Sequence, residues 1–87
     1  MVHQQRQLTR NSIYPSTKIL YGLPRSSWVS LAVYNTLGQH VTTLANGEEP
    51  AGFHEVNFDG TGLASGVYFY RLQAGSVVKT MKGLLLR

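Results

Sequence analysis

Residues 62–72 decide the fold, and they read Gly-Leu-Ala-Ser-Gly-Val-Tyr-Phe-Tyr-Arg-Leu. Glycine adopts backbone conformations that other residues avoid, so the two glycines predict a tight connection, in which Leu63 covers the rim of the core. Valine, tyrosine and phenylalanine follow at once, and these residues favour strands. The stretch therefore predicts a turn that runs straight into a strand, with residues 77–86 as its hairpin partner across Gly75 and Ser76.

The chain before this stretch alternates between apolar and polar residues, which is the period of a strand. Val29, Leu31 and Val33 share one face and are expected to meet the core. Trp28 and Tyr34 then lie on the outer face or near strand ends, where their polar tips reach water. Further strands are predicted by the same alternation at 17–23, 39–44 and 53–59.

Two connections carry strong turn signals. Residues 35–38 begin with asparagine and end with glycine, which both tolerate turn dihedrals, and they predict a hairpin turn. The Asn-Gly pair at 46–47 predicts a second turn, which residues 48–52 extend into an exposed loop. Glu48 and Glu49 are accordingly expected to be solvated.

These signals predict about seven short strands at intervals of roughly 8–12 residues, with no sustained helical period. Parallel strands would need crossovers of about a dozen residues, which this chain lacks. The sequence therefore predicts an all-β fold, an antiparallel β-sandwich over residues 14–87. Residues 1–13 are polar and without periodicity, so they are expected to form a linker or a disordered arm.

Composition sets the outer limits of function. An 87-residue chain holds one modest core, and the absence of cysteine excludes disulfides and thiolate chemistry. The net charge of +4 is spread along the chain, and no basic run predicts binding to nucleic acid. No apolar run approaches the roughly 20 residues of a membrane span.

No catalytic, metal or cofactor site is predicted. Residues 60–66 superficially resemble a glycine-rich nucleotide loop, but such a loop opens a helix, and here a strand follows. His3, His40 and His54 stand at no metal-ligand spacing and are expected at the surface or the rim. Asp59 is expected to bond turn amides, which leaves no acid/base pair.

Aromatic residues are the remaining candidates for a binding site. Trp28, Tyr34, Tyr68 and Tyr70 would form a platform for a carbohydrate or a peptide if they shared one sheet face. Cross-strand packing is the favoured explanation, because aromatic pairs stabilise sheets by roughly 0.2–1 kcal/mol each.

Five separated motifs occur in order along the chain. Residues 11–17 read Asn-Ser-Ile-Tyr-Pro-Ser-Thr, 23–24 Leu-Pro, 33–41 Val-Tyr-Asn-Thr-Leu-Gly-Gln-His-Val, and 82–87 Lys-Gly-Leu-Leu-Leu-Arg, with 62–72 between the last two. They resemble the Asn-Pro-Phe-Asn-Pro-Ser/Thr, Leu-Pro, Val-Tyr-Asn-x-x-Gly-x-x-Val, Gly-Leu-x-x-Gly-x-Tyr and Lys-x-Leu-Leu-x-Lys motifs of type A C-terminal sorting domains of the type IX (Por) secretion system. The chain departs from these motifs at positions 12–14, and at Gly83, where a larger apolar residue is usual.

The resemblance implies an Ig-like β-sandwich that acts as an address and not as an enzyme. It implies that type IX translocon proteins carry an N-terminal cargo domain through the periplasm and across the outer membrane, to the medium or the cell surface. It also implies a translocon-recognition region and a supporting turn. The recognition region comprises Gly66, Tyr68, Leu72, Lys82, Leu84, Leu85, Leu86 and Arg87, and the turn comprises Tyr34, Asn35, Gly38 and Val41.

Similar sandwiches also occur in flagellar hook-capping proteins and beside secreted glycosidases. A second function is therefore open, that of a structural Ig-like accessory or assembly module. Open edge strands favour self-association in either case.

Overall fold

The structure, a computed structural model, describes residues 2–5, 12–13 and 16–86. Within these residues the chain forms eight strands. From residue 16 onward, most of them lie where the alternation of apolar and polar residues predicts strands. The strands are β1 (Val2–Gln5), β2 (Ser12–Ile13), β3 (Ser16–Leu23), β4 (Ser27–Asn35), β5 (His40–Glu49), β6 (Gly52–Asp59), β7 (Gly66–Ala74) and β8 (Val77–Leu85).

The strands form two sheets. One sheet has three strands in the order β1-β3-β6, and the other has five in the order β2-β8-β7-β4-β5. Among the described residues, five of the six strand pairings are antiparallel, and β2 pairs in parallel with β8 over two residues. The predicted all-β sandwich is confirmed, and no helix among the described residues is long and apolar enough to cross a membrane.

The core lies between the two sheets and is filled by the faces that the alternation predicts. Val29, Leu31 and Val33 of β4 are fully buried, whereas Trp28 beside them is 58% exposed. Phe58 of the three-stranded sheet meets Tyr70 of the five-stranded sheet edge to face, with ring centroids 5.8 Å apart. Such a pair contributes about 0.5–1.5 kcal/mol beyond its buried area, so it ties the sheets together.

The predicted turn at Asn46 and Gly47 is wrong. Both residues lie inside β5, where they pair with Ser30 and Val29 of β4. The chain instead turns between β5 and β6 around residues 50–51. Pro50 has no N–H for a strand ladder, and Gly52 takes φ of +120°. These residues accommodate the reversal of the chain, so β5 continues as far as Glu49.

Two irregularities in β5 break its period. The register against β4 passes from Leu31↔Ala45 to Ala32↔Thr43, so Leu44 has no partner on β4. A second shift leaves Val41 without one. Both residues pack against the core, because a bulge bends the strand and re-aims its side chains.

Two of the strands fall within residues 1–13. β1 pairs with β3, and β2 pairs with β8. Residues 6–11 lie outside the described residues, and the predicted division into an arm and a domain at 13–14 stays a prediction.

The position of the turn is tested by replacing two glycines with alanine. Gly47→Ala should be neutral or stabilise the domain by about 0.4–1 kcal/mol, because Gly47 lies in a strand and an added Cβ meets nothing within 4 Å. Gly38→Ala is the matched control and should cost about 1–2 kcal/mol, since Gly38 has φ of +81°. Urea unfolding of both variants measures the difference. Equal destabilisation by the two changes would restore the turn at 46–47.

Candidate functional site

The hairpin of β7 and β8 brings most of the predicted recognition region together. β7 lies between β4 and β8, so both of its edges are paired. The hairpin turns at Gly75, which has φ of +60°, and the Gly75 N–H donates to the carbonyl of Trp28 at 3.4 Å. The register places Tyr68 opposite Gly83 and Leu72 opposite Lys79. The hairpin is thus paired with β4 from Tyr68 to Ala74.

The connection before β7 is held by local hydrogen bonds. The Thr61 N–H donates to Asp59 Oδ1 at 2.9 Å, and the Leu63 N–H donates to the carbonyl of Gly60 at 3.0 Å. Hydrogen bonds from the Thr61 side chain and backbone lower the pKa of the Asp59 carboxyl. Asp59 therefore bonds a turn amide as expected, and Leu63 packs on the core rim as predicted.

Three members of the recognition region belong to the core. Tyr68, Leu72 and Leu85 expose 7%, 1% and 1% of their surface. The Tyr68 hydroxyl also donates to the carbonyl of Ala64 at 2.7 Å, which joins β7 to the connection that precedes it. Gly66 begins β7 with φ of +147°, a conformation that favours glycine.

Three other members face solvent. Lys82 is exposed, and Leu84 and Leu86 expose 38% and 45% of their surface. Leu84 alternates with the buried Gly83 and Leu85, so the pleat of β8 sorts neighbouring residues to opposite faces. Arg87 lies outside the described residues, as do residues 11 and 14–15 of the first motif.

The supporting turn is built around one side chain. Asn35 Oδ1 accepts hydrogen bonds from the N–H groups of Leu37 and Gln39, each at 3.0 Å. The Asn35 side-chain amide donates to Gln39 Oε1 at 2.9 Å, and the Gly38 N–H donates to the carbonyl of Asn35 at 3.0 Å. Tyr34 packs edge to face on His40 at 5.7 Å between ring centroids. The structure thus places asparagine and glycine where their chemistry fixes the turn.

The aromatic platform is not assembled. Tyr68 and Tyr70 face the core, whereas Trp28 projects into solvent on the other face of the sheet. Tyr34 shares the outer face with Trp28 but lies about 20 Å along the strand from it, at about 3.3 Å per residue. The four rings therefore offer no common surface to a sugar.

A polar cluster that the sequence did not predict joins the two sheets. The Tyr21 hydroxyl donates to Glu49 Oε1 at 2.5 Å, and His54 Nδ1 lies 3.6 Å from the same oxygen. The His54 ring stacks on Tyr21 at 5.4 Å, and its Nε2 lies 2.8 Å from the carbonyl of Pro50. Glu49 is therefore bonded to the buried Tyr21 and is itself half-buried, and the expectation that it is simply solvated is wrong.

Burial and the contact with Glu49 both raise the pKa of the Tyr21 hydroxyl. Burial of the ring raises the pKa of the Tyr21 hydroxyl above its usual value of 10.0, and the hydrogen bond to the Glu49 carboxylate and its charge raise it further. Both effects favour the neutral hydroxyl, which can donate to the Glu49 carboxylate as a phenolate cannot. His54 lies at the rim as expected.

The described residues hold no group of three or more His, Asp or Glu side chains that could bind a metal ion. His40 Nε2 lies 2.8 Å from Thr43 Oγ1, and Glu55 pairs with Lys18 at 3.1 Å on the outer face of the three-stranded sheet. These contacts are exposed, and ion pairs at such sites contribute about 0–1 kcal/mol. They account for local structure and not for chemistry.

Comparison with known proteins assigns the chain to a family. The family model described as "secretion system C-terminal sorting domain" matches residues 12–86, which is nearly the whole chain. No curated protein and no solved structure gives a significant match.

The Tyr21 cluster predicts a change in stability at alkaline pH. The folded domain holds the Tyr21 proton more tightly than the unfolded chain does, so this stability is complete below about pH 10 and is lost as the pH rises above it. Tyr21→Phe should cost about 0.5–1.5 kcal/mol at pH 7 and should remove that alkaline loss. Urea unfolding from pH 7 to 11 measures both effects.

Tyr34→Phe is the control, because it removes a half-buried hydroxyl outside the cluster. It should retain the wild-type loss of stability above pH 10. An alkaline loss that persists unchanged in Tyr21→Phe would contradict the role of the cluster.

Proposed function

Because this chain belongs to the family of secretion system C-terminal sorting domains, we propose that the exposed side of its β7–β8 hairpin is the surface that the translocon reads. The domain is a targeting signal for type IX secretion, and its family is non-catalytic. Membership implies interaction with the secretion machinery and passage across the outer membrane. The residues that make the contact are the subject of the proposal.

Burial supports a division of roles within the recognition region. Tyr68, Leu72 and Leu85 are enclosed between the sheets, so they fix the position of the hairpin and do not touch a partner of the folded domain. Lys82, Leu84 and Leu86 project outward on or beside β8 and are available for contact. Exposed leucines beside a cation fit a partner surface with an apolar centre and a polar rim.

The cargo and the route follow from the same proposal. An N-terminal domain of the parent protein is the cargo, and it travels through the periplasm to the medium or the cell surface. Type IX translocon proteins bind the sorting domain on this route. The net charge of +4 and the lack of a basic run support a protein partner over nucleic acid.

A structural accessory or assembly module is the second candidate, and one observation favours it. β5 and β8 each leave an edge without a full strand partner among the described residues. Such edges favour pairing between copies, so self-association through them is part of this alternative. If the domain is an assembly module, replacing Leu84 and Leu86 should impair self-association and leave export unchanged.

The proposal predicts separate effects of exposed and buried leucines. A periplasmic reporter is fused before the domain and expressed in a host with type IX secretion. Leu84→Ser with Leu86→Ser should lower the reporter in the medium by about tenfold or more, as expected where contact residues are removed. The purified variant should unfold within about 1 kcal/mol of the wild type, since both side chains are partly exposed.

Leu37→Ser is the matched control, because Leu37 is 81% exposed on a distant turn, and it should be exported normally. Leu72→Ala, by contrast, should destabilise the domain by about 2–5 kcal/mol, because it opens a cavity in the core. Unchanged export of the Leu84 and Leu86 variant would refute the proposed contact. Retention of the wild-type fusion in the periplasm would refute the sorting role itself.

A further inference from the structure

Charge is segregated along this chain and across its sheets. All four acidic side chains lie within residues 48–59, and residues 60–87 include no Asp or Glu. The β7–β8 hairpin instead carries Arg71, Lys79 and Lys82, all of them exposed and outside any ion pair among the described residues. The hairpin therefore presents positive charge without internal compensation.

The sheet order keeps the two charges apart. β5, which ends in Glu48 and Glu49, lies at one edge of the five-stranded sheet, and β8 lies three strand positions away. That separation is about 14 Å at about 4.8 Å per strand. It exceeds the Debye length of about 8 Å at physiological ionic strength, so the acidic edge does not neutralise β8 in solution.

β8 also has a backbone edge that the described residues leave largely unpaired. Of the described residues, only Ser12 and Ile13 pair with the side of β8 that faces away from β7, and they reach only Leu84 and Leu85. The edge from Val77 to Gly83 is left unpaired by them, a span of roughly 20 Å at about 3.4 Å per residue. Its N–H and C=O groups form a template for an added strand.

We infer that this open edge of β8 binds an extended, acidic segment of a partner protein, which adds as a further strand of the five-stranded sheet. The inference rests on the proposed function and states the chemistry of the partner that the translocon would supply. Main-chain hydrogen bonds provide the pairing, and carboxylates beside Lys79 and Lys82 provide the selection.

The positions of the cations fit an added strand. Lys79 and Lys82 lie three positions apart, an odd offset, so they lie on opposite faces of β8. A neighbouring strand with carboxylates on both faces would meet each of them. Val77 and Val78, 42% and 45% exposed, flank the cations on the same two faces and favour β-branched partners between the acidic residues.

The same cations disfavour a second copy as the occupant. Two β8 edges paired with each other would bring lysines of like charge into one ladder, and like charges opposite each other destabilise a sheet. An anionic membrane or polysaccharide would satisfy the charges but not the backbone edge. An acidic protein segment satisfies both.

The test uses hydrogen exchange of the folded domain by NMR with a short capped peptide that repeats Thr-Thr-Glu-Glu, so that carboxylates lie on both faces of the added strand. The alternate amides of Val77–Gly83 that do not bond to β7 should exchange about tenfold more slowly when the peptide is present at about ten times its dissociation constant. The same peptide with Lys in place of Glu should give no protection. Raising the salt concentration should weaken the effect.

Lys79→Glu should weaken peptide binding by about tenfold, since it places like charges beside each other. Arg25→Glu is the matched control, because it makes the same charge change on an exposed residue of the β3–β4 connection, and it should bind normally. Protection without the peptide that grows with protein concentration would assign the edge to a second copy and overturn the inference. Equal binding to anionic vesicles or heparin without amide protection would overturn it too.

The reporter fusion separates this inference from the sorting role. Export of the wild type with about tenfold lower export of Lys79→Glu, and normal export of Arg25→Glu, is the expected result. If the wild type and Lys79→Glu are exported equally, the acidic-strand inference fails while the sorting role stands. If the wild type is retained in the periplasm, the sorting role fails, and the exchange measurement alone decides whether the edge binds an acidic strand.

Discussion

Burial of one face of β7 is the constraint on which the rest of the domain depends. Tyr68, Tyr70, Leu72 and Ala74 point inward at every second position, and each is at least 93% buried. β7 is paired on both edges, with β4 on one side and β8 on the other. A shift of one residue would turn all four side chains to solvent, so the core fixes the register of both neighbouring strands. The position of β8 is a consequence of what β7 buries.

This dependence explains why residues of the recognition region need not be contact residues. A sorting domain must present its signal in one geometry, and a small sandwich has little stability to spare for doing so. Tyr68 fixes the position of β7 in two ways: its ring is buried in the core, and its hydroxyl donates a hydrogen bond to the carbonyl of Ala64. The residues that a partner can touch are those that the pleat of β8 leaves outside, such as Leu84. Buried core residues and exposed candidate contact residues therefore alternate along one hairpin.

The alternation of β3, β4, β6 and β7 was sufficient to predict these strands and the buried face of β4, because each strand has one face on the core and period-two patterning reports burial directly. β5 was predicted too short, since its bulges at Val41 and Leu44 interrupt the period and its Asn-Gly pair imitates a turn. The Asn-Gly pair favours a turn, but it pairs with β4 instead, and the chain reverses farther along, next to Pro50 and Gly52. Most residues of the recognition region lie on the β7–β8 hairpin, and their role as a recognition site stays a prediction.

The parts of the site that the sequence left unpredicted depend on contacts between distant residues. The contact of Glu49 with Tyr21 spans 28 positions and forms only because β5 continues beyond the apparent turn. Which of the hairpin residues face outward follows from the pleat, but how exposed they are depends on the size of the opposite sheet. That sheet has three strands against five, so it cannot cover the whole of the larger one. Val77 and Lys79 share the inward side of β8 with Met81 and yet remain exposed.

The unequal sheets and the short β2 divide β8 into two zones with different ways of being recognised. At Leu84 and Leu85, β2 covers the backbone edge, so a partner there can read side chains without displacing a strand. From Val77 to Gly83 the described residues leave the backbone edge open, and pairing and charge can be read together. A partner that engages both zones gains specificity from two chemically different contacts on one rigid element. Because β7 holds both zones in a single register, a change that loosens the core would disturb the two contacts at once.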